Sequence, residues 1–102
     1  MKVWFVMEFE TFKDDTKRKE YYDYLESSWR PTSQKIYEGV KWKNLGGWSD
    51  NPGWVLWIAE FESMEEFSKV WSNEEYQKEI LKLRNHLKSF KMKIMRPTIS
   101  VR

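Results

Sequence analysis

Between Trp54 and Glu62 both alternating sets of side chains are apolar for most of their length: Val55, Trp57, Ala59 and Phe61 on one side, Trp54, Leu56 and Ile58 on the other, with Glu60 and Glu62 closing the second set. Successive side chains of a strand point to opposite faces, so such a strand has to lie inside a sheet that is covered on both faces. The stretch from Lys2 to Glu10 has the same property in weaker form. There Val3, Phe5, Met7 and Phe9 alternate with Trp4, Val6, Glu8 and Glu10, so the second face is apolar at one end and polar at the other. Any fold for this chain must supply two apolar layers against one sheet.

The segments between these strands read as helices, turns and two further strands. Asp14, Asp15 and Thr16 offer N-cap oxygens before Tyr21, Tyr22, Leu25 and Trp29, which recur at helical spacing. Pro31 cannot donate to a continuing helix, so the helix is expected to end or kink near Trp29, with Thr32 to Glu38 as a connection. Val40, Trp42, Asn44, Gly46 and Trp48 oppose Lys41, Lys43 and Leu45 in a strand weakened at Gly46–Gly47, where a bulge is expected. The turn formers Ser49 to Gly53 then predict a hairpin. Ser63 and Glu66 have capping-box spacing and open a helix with Met64, Phe67, Val70 and Trp71 inward. Ser72 and Glu75 repeat that spacing around Asn73, so the helix is predicted to break and restart, with Tyr76, Ile80, Leu83 and Leu87 as its core stripe. Phe90, Met92 and Ile94 alternate with Lys91, Lys93 and Met95 in a last strand, and Thr98 to Arg102 is a tail able to extend along an edge.

Strand, helix, strand, strand, broken helix, strand is the order of an α+β ferredoxin-like βαββαβ fold, with a four-stranded antiparallel sheet and the helices on one face. The chain of 102 residues is read as a single domain spanning residues 1–102. Helices on one face leave Trp4, Val6, Leu56 and Ile58, with either Trp42 or Leu45, on the other. A patch of that sort marks an interaction surface, and a second copy of the chain is the expected partner. Seven Trp, six Phe and five Tyr reinforce this, because so many rings need more than one apolar surface to cover.

Composition narrows function mainly by exclusion. With no cysteine, disulfides, thiolate zinc sites, iron–sulfur clusters and a cysteine nucleophile are ruled out. A net charge of +2 from 18 basic and 16 acidic residues is too balanced to imply nucleic acid. No glycine-rich phosphate loop or nucleophile elbow is present. Apolar runs fall short of the roughly 20 residues that span a bilayer, and Glu8 interrupts the N-terminal apolar stretch, so neither membrane insertion nor a signal peptide is expected and the cytoplasm is the default location.

The whole pattern from Lys2 to about Pro97 resembles the dimeric α/β barrel superfamily, which includes antibiotic-biosynthesis monooxygenases, EthD-like and NIPSNAP-like domains, and muconolactone isomerases. Its most family-like stretch is Ile58-Ala59-Glu60-Phe61-Glu62-Ser63-Met64-Glu65-Glu66-Phe67, a strand ending in acids that feeds a capped helix. The resemblance implies two ferredoxin-like sheets packed face to face, with any ligand between sheet and helices or inside the barrel. It implies no particular chemistry, because functions in the superfamily diverge widely.

Candidate functional residues fall into three groups. Glu8 and Glu60 project to the non-helical face on neighbouring strands and are candidates for proton transfer if they come close. The competing reading pairs them with Lys41, Lys43, Lys91 or Lys93. His86, the only histidine, lacks partners at metal-ligand spacing, so it is a weak third catalytic candidate and no metal site is assigned. Among the rings, Trp29, Trp57 and Trp71 sit at periodic core positions, whereas Trp42, Trp48 and Trp54 flank the hairpin and are the ligand-binding candidates. The functional expectations are therefore a homodimer binding a small apolar or aromatic molecule without a tightly held cofactor; a cofactor-independent monooxygenase or isomerase; or a structural or stress-related dimer with a filled interior.

Overall fold

A computed structural model describes residues 1–48 and 53–96. Residues 49–52 of the expected hairpin turn, and the tail from Thr98, lie outside the described residues. Strand β1 (Val3–Glu10) leads into a helical arm: α1 (Asp15–Tyr24), a π-helical turn (Leu25–Trp29) and α2 (Arg30–Ile36). Then come β2 (Trp42–Asn44), β3 (Gly47–Trp48), β4 (Trp54–Phe61), α3 (Met64–Trp71), α4 (Glu74–Asn85) and β5 (Ser89–Met95). All pairings are antiparallel in the order β2–β4–β1–β5, with β3 also on β4, beyond β2. β2 and β3 are two parts of one edge strand, so the sheet has the four-stranded ferredoxin-like layout that the element order predicts.

The helix-facing side of the sheet carries the core. Val3, Phe5, Met7 and Phe9 are buried there with Ala59 and Phe61, against Phe67, Val70, Tyr76, Ile80, Leu83 and Leu87. Burying an apolar side chain of this size is worth about 1.5–3 kcal/mol. Phe5 is the hub, with the rings of Trp57, Phe67, Trp71 and Tyr76 around it, mostly edge-on. Two helix starts follow the expected chemistry. Asp14 accepts from the Lys17 amide, and Ser63 accepts from the Glu66 amide. The second helical stretch breaks where expected, but its restart is capped by Asn73, whose side chain accepts from the amides of Glu75 and Tyr76, and not by Ser72, whose hydroxyl donates to the Ser68 carbonyl.

Three further local expectations need correction. The first helix does not stop at Trp29. A π turn shifts the hydrogen-bond register so that the Arg30 amide reaches the Leu25 carbonyl, and Pro31 falls in the first turn of α2, where its missing N–H costs little. The residues read as a connection are thus mostly helix. Nor is there a bulge at Gly46–Gly47. Asn44 faces Ala59 and Gly47 faces Leu56, three positions on in both strands, so the ladder is interrupted without an inserted residue. Lastly, Glu66 does not reach back to close a capping box; its carboxylate accepts from the Lys41 amide at 2.8 Å and pairs with Lys69 at 2.5 Å.

Candidate functional site

The helical arm docks on α4 rather than flat on the sheet. Glu79 is buried, and its carboxylate accepts from the hydroxyls of Tyr24 and of Ser28, the latter at 2.9 Å, while the Tyr24 hydroxyl also lies 3.0 Å from the Glu79 carbonyl. One turn along the arm, the ring of Trp29 lies 5.9 Å from that of Tyr76. Held this way, the arm stands off the strands and borders a half-open cavity of about 470 Å³ against them. That volume lies within the range of small-molecule sites, about 300–1,000 Å³.

The cavity wall is mainly aromatic and apolar. Trp42 and Trp57 come from the sheet, Tyr21, Trp29 and Tyr37 from the helical arm and its end, and Met7, Phe9 and Val55 form the floor. Tyr37 packs its ring 4.5 Å from Trp42. Its hydroxyl lies 2.7 Å from that of Tyr76, a residue with no exposure to solvent. If Tyr37 donated in this pair, the Tyr76 proton would be left inside the core without an acceptor among the described residues. If Tyr76 donated instead, the Tyr37 proton would be the one without a protein acceptor among the described residues, and either hydroxyl can be the donor. Burial pushes the phenols of Tyr37 and Tyr76 well above their ordinary range, and that of Tyr21 up to about 12, so at neutral pH they are hydrogen-bond donors rather than bases. Arg30, Ser33, Gln34 and Asn44 supply the polar part of the lining.

Of the residues singled out by sequence, Trp42 lines the cavity. Trp54 pairs with Glu10 on the opposite face of the sheet and is part-exposed. Trp48 stands opposite Val55 in register on β3. Trp29 and Trp57, read as core from their periodicity, also line the cavity, while Trp71 packs against Phe5 and Phe67. Glu8 and Glu60 share the outer face but do not meet. Glu60 is opposite Trp4, four residues from Glu8 along β1, a separation of about 13 Å. Glu60 accepts a 2.8 Å bond from the Trp4 indole and pairs with Lys2 and Lys43, contacts that hold its carboxyl below the usual range, the indole bond foremost, against an opposing contribution from burial. His86 ends α4 and stacks on Tyr24 at 4.5 Å, away from the cavity lining. Trp4, Val6, Leu56 and Ile58 do lie together on the outer face, joined by Leu45, whose amide donates to the Ile58 carbonyl, while Trp42 faces the helices. Among the described residues no cluster of three or more His, Asp or Glu is suited to a metal ion.

Two parts of the site escaped the sequence reading. Glu79 falls with Tyr76, Ile80 and Leu83 at the i, i+3, i+4, i+7 positions of an inward stripe, a placement that marks an acid destined for burial. Arg30, Ser33, Gln34 and Tyr37 have the same spacing, hidden because Pro31 suggested a helix end.

No protein-family model and no curated protein matches this chain. Solved structures do. SnoaB, a cofactor-independent oxygenase from Streptomyces nogalater, matches with a TM-score of 0.66 at 12% identity, over 98% of this chain and 96% of its own. An EthD family protein from Bacillus halodurans matches at 0.66 and 13% identity, over 96% and 100% of the two chains. A NIPSNAP family protein from Agrobacterium tumefaciens matches at 0.59 and 15% identity, over 96% and 94%. Structures assigned to antibiotic biosynthesis monooxygenases match as well. At such identities the likeness is one of fold, and the chain shares with these proteins a ferredoxin-like α+β fold.

Proposed function

We propose that this chain binds a flat aromatic molecule of two or three rings in the cavity beneath its helical arm, and works as a homodimer joined through the outer face of the sheet. The observation that carries the reading is the wall of Trp29, Trp42, Trp57, Tyr21 and Tyr37 around about 470 Å³. Indole and phenol faces stack on planar rings and contribute about 0.5–1.5 kcal/mol per aromatic pair beyond simple burial. Pairing is supported by the outer face, where Leu45, Leu56, Trp54 and Met95 are all more than a third exposed beside Val6 and Ile58. Titrating the protein with anthracene- and anthraquinone-based three-ring compounds while following tryptophan fluorescence tests the ligand. Saturable quenching that weakens at least tenfold in Trp42→Ala is expected; absence of saturation with every compound would sink the reading.

A second reading, cofactor-independent oxygenation, draws on the shared fold with SnoaB. In such a reaction the bound ring itself activates oxygen, and this chain would contribute enclosure and the Tyr37, Asn44 and Arg30 donors. Glu8, Glu60 and His86 stand outside the cavity wall. Dioxygen uptake on adding a reduced three-ring phenol, abolished by a competing three-ring ligand, separates turnover from binding alone.

A further inference from the structure

Building on the aromatic-site reading, we propose that the ligand is an anion: a planar aromatic acid whose charged group meets Arg30 at one end of α2 and whose acceptor oxygen meets the Tyr37 hydroxyl at the other. Arg30 and Tyr37 both line the cavity and are seven residues apart along the helical arm, a rise of about 10 Å on one face. That span suits two or three fused rings lying along the helix.

The polar chemistry between those ends favours acceptors. Arg30 is the one formally charged side chain among the described lining residues. The Asn44 Oδ1 already accepts the Gly46 amide at 2.7 Å, which leaves its Nδ2 to donate. Ser33 spends its hydroxyl proton on the Trp29 carbonyl at 2.7 Å. Either hydroxyl of the Tyr37–Tyr76 pair can be the donor, and with Tyr76 donating the Tyr37 proton is free for a ligand oxygen. Gln34 is the one neutral group that can play either part. A cationic or donor-rich ligand would find no carboxylate among the described lining residues, whereas a carboxylate or phenolate would find a guanidinium and two neutral donors.

Arg30 has a competitor in Glu26, one turn earlier, at 2.8 Å. Both side chains are more than half exposed, and an ion pair of that kind contributes little. An anion whose rings are already held by the aromatic wall meets the guanidinium at high effective concentration, so the weak Glu26 pair competes poorly with it. Glu26 is therefore a weak counterweight to the ligand rather than a barrier.

The test compares anthraquinone-2-carboxylate, its carboxamide and anthracene-2-carboxylate, by fluorescence quenching and calorimetry. The carboxylate is expected to bind about tenfold more tightly than the carboxamide, and more tightly than the anthracene acid, which lacks the quinone oxygens. Arg30→Met should erase the first preference and leave the second. Tyr37→Phe should erase the second and leave the first, and Glu26→Gln should raise affinity for both acids a few-fold. Equal binding of carboxylate and carboxamide by the unaltered protein would overturn the proposal while leaving the aromatic site standing. Failure of all three compounds to bind would overturn both.

Discussion

Glu66 and Glu79 are acids with almost no solvent exposure, 8% and 3%, in a chain whose other carboxylates are mostly at the surface. Each is tolerated because hydrogen bonds replace the lost water. Glu66 ties the start of β2 to the start of α3 through the Lys41 amide and Lys69, and those two contacts, Lys69 first, hold its carboxyl below the ordinary 4.5. A depressed value means that the charged form stabilises the fold. The contribution is complete above about pH 4.5 and is lost as the pH falls through the folded value. Urea midpoints measured from pH 6 to pH 3 should therefore fall in the unaltered protein, and fall less steeply in Glu66→Gln; identical slopes would show that Glu66 is not among the groups responsible. Glu66 was visible in the sequence as a capping residue, but its real partner was not. The Lys41 amide lies 25 residues away, and no local spacing encodes it. Buried phenols work in the opposite sense: with values raised by burial, Tyr21, Tyr24, Tyr37 and Tyr76 stabilise the neutral fold below about pH 10, and that stability is lost as the pH rises through the folded values.

At the scale of elements, the cavity depends on two departures from regular geometry. The π turn over Leu25–Trp29 lets one helical arm continue past Pro31, and so Arg30, Ser33, Gln34 and Tyr37 join Trp29 on the cavity side. The break between β2 and β3 lets Trp57 lie against the edge strand. A Cβ at Gly46 would come within 2.8 Å of both the Trp57 ring and the Asn44 Oδ1. The Asn44 amide can swing aside, but the indole carbon near its own backbone cannot. Gly46→Ala should cost about 1–3 kcal/mol in urea denaturation and weaken three-ring ligands by displacing Trp57. Unchanged stability together with unchanged binding would mean the sheet edge yields freely. The sequence displayed both departures as anomalies, a proline after a helical stripe and a glycine pair in a strand. Propensity alone assigned them to a helix end and a bulge, because it does not register that Glu79 holds the arm on α4 or that Trp57 needs the space over Gly46.

For the molecule as a whole the decisive property is its thinness. The Cα trace extends 44 × 33 × 16 Å, a sheet with one helical layer and an outer face still bearing Leu45, Trp54, Leu56 and Met95. If a second copy covers that face, Ile58→Asp buries a charge opposite Val6 and should convert dimer to monomer in sedimentation velocity. Leu56→Lys, nearer the open part of the face, should do the same without threatening the core. A stable dimer in both variants would place the contact elsewhere. The layer count, the strand order and the identity of the inner face were all determined by the sequence alone, since period-2 alternation and chain order leave few right-handed solutions. Trp54–Glu62, apolar on both sides, already marked a central strand, and β4 lies between β1 and the β2–β3 edge. What only the tertiary structure decided is where space remains. A cavity is a difference between how closely two elements approach and how much their side chains fill, and that difference rests on long-range contacts such as Tyr24 with Glu79 and Tyr37 with Tyr76, which no periodicity of the chain records.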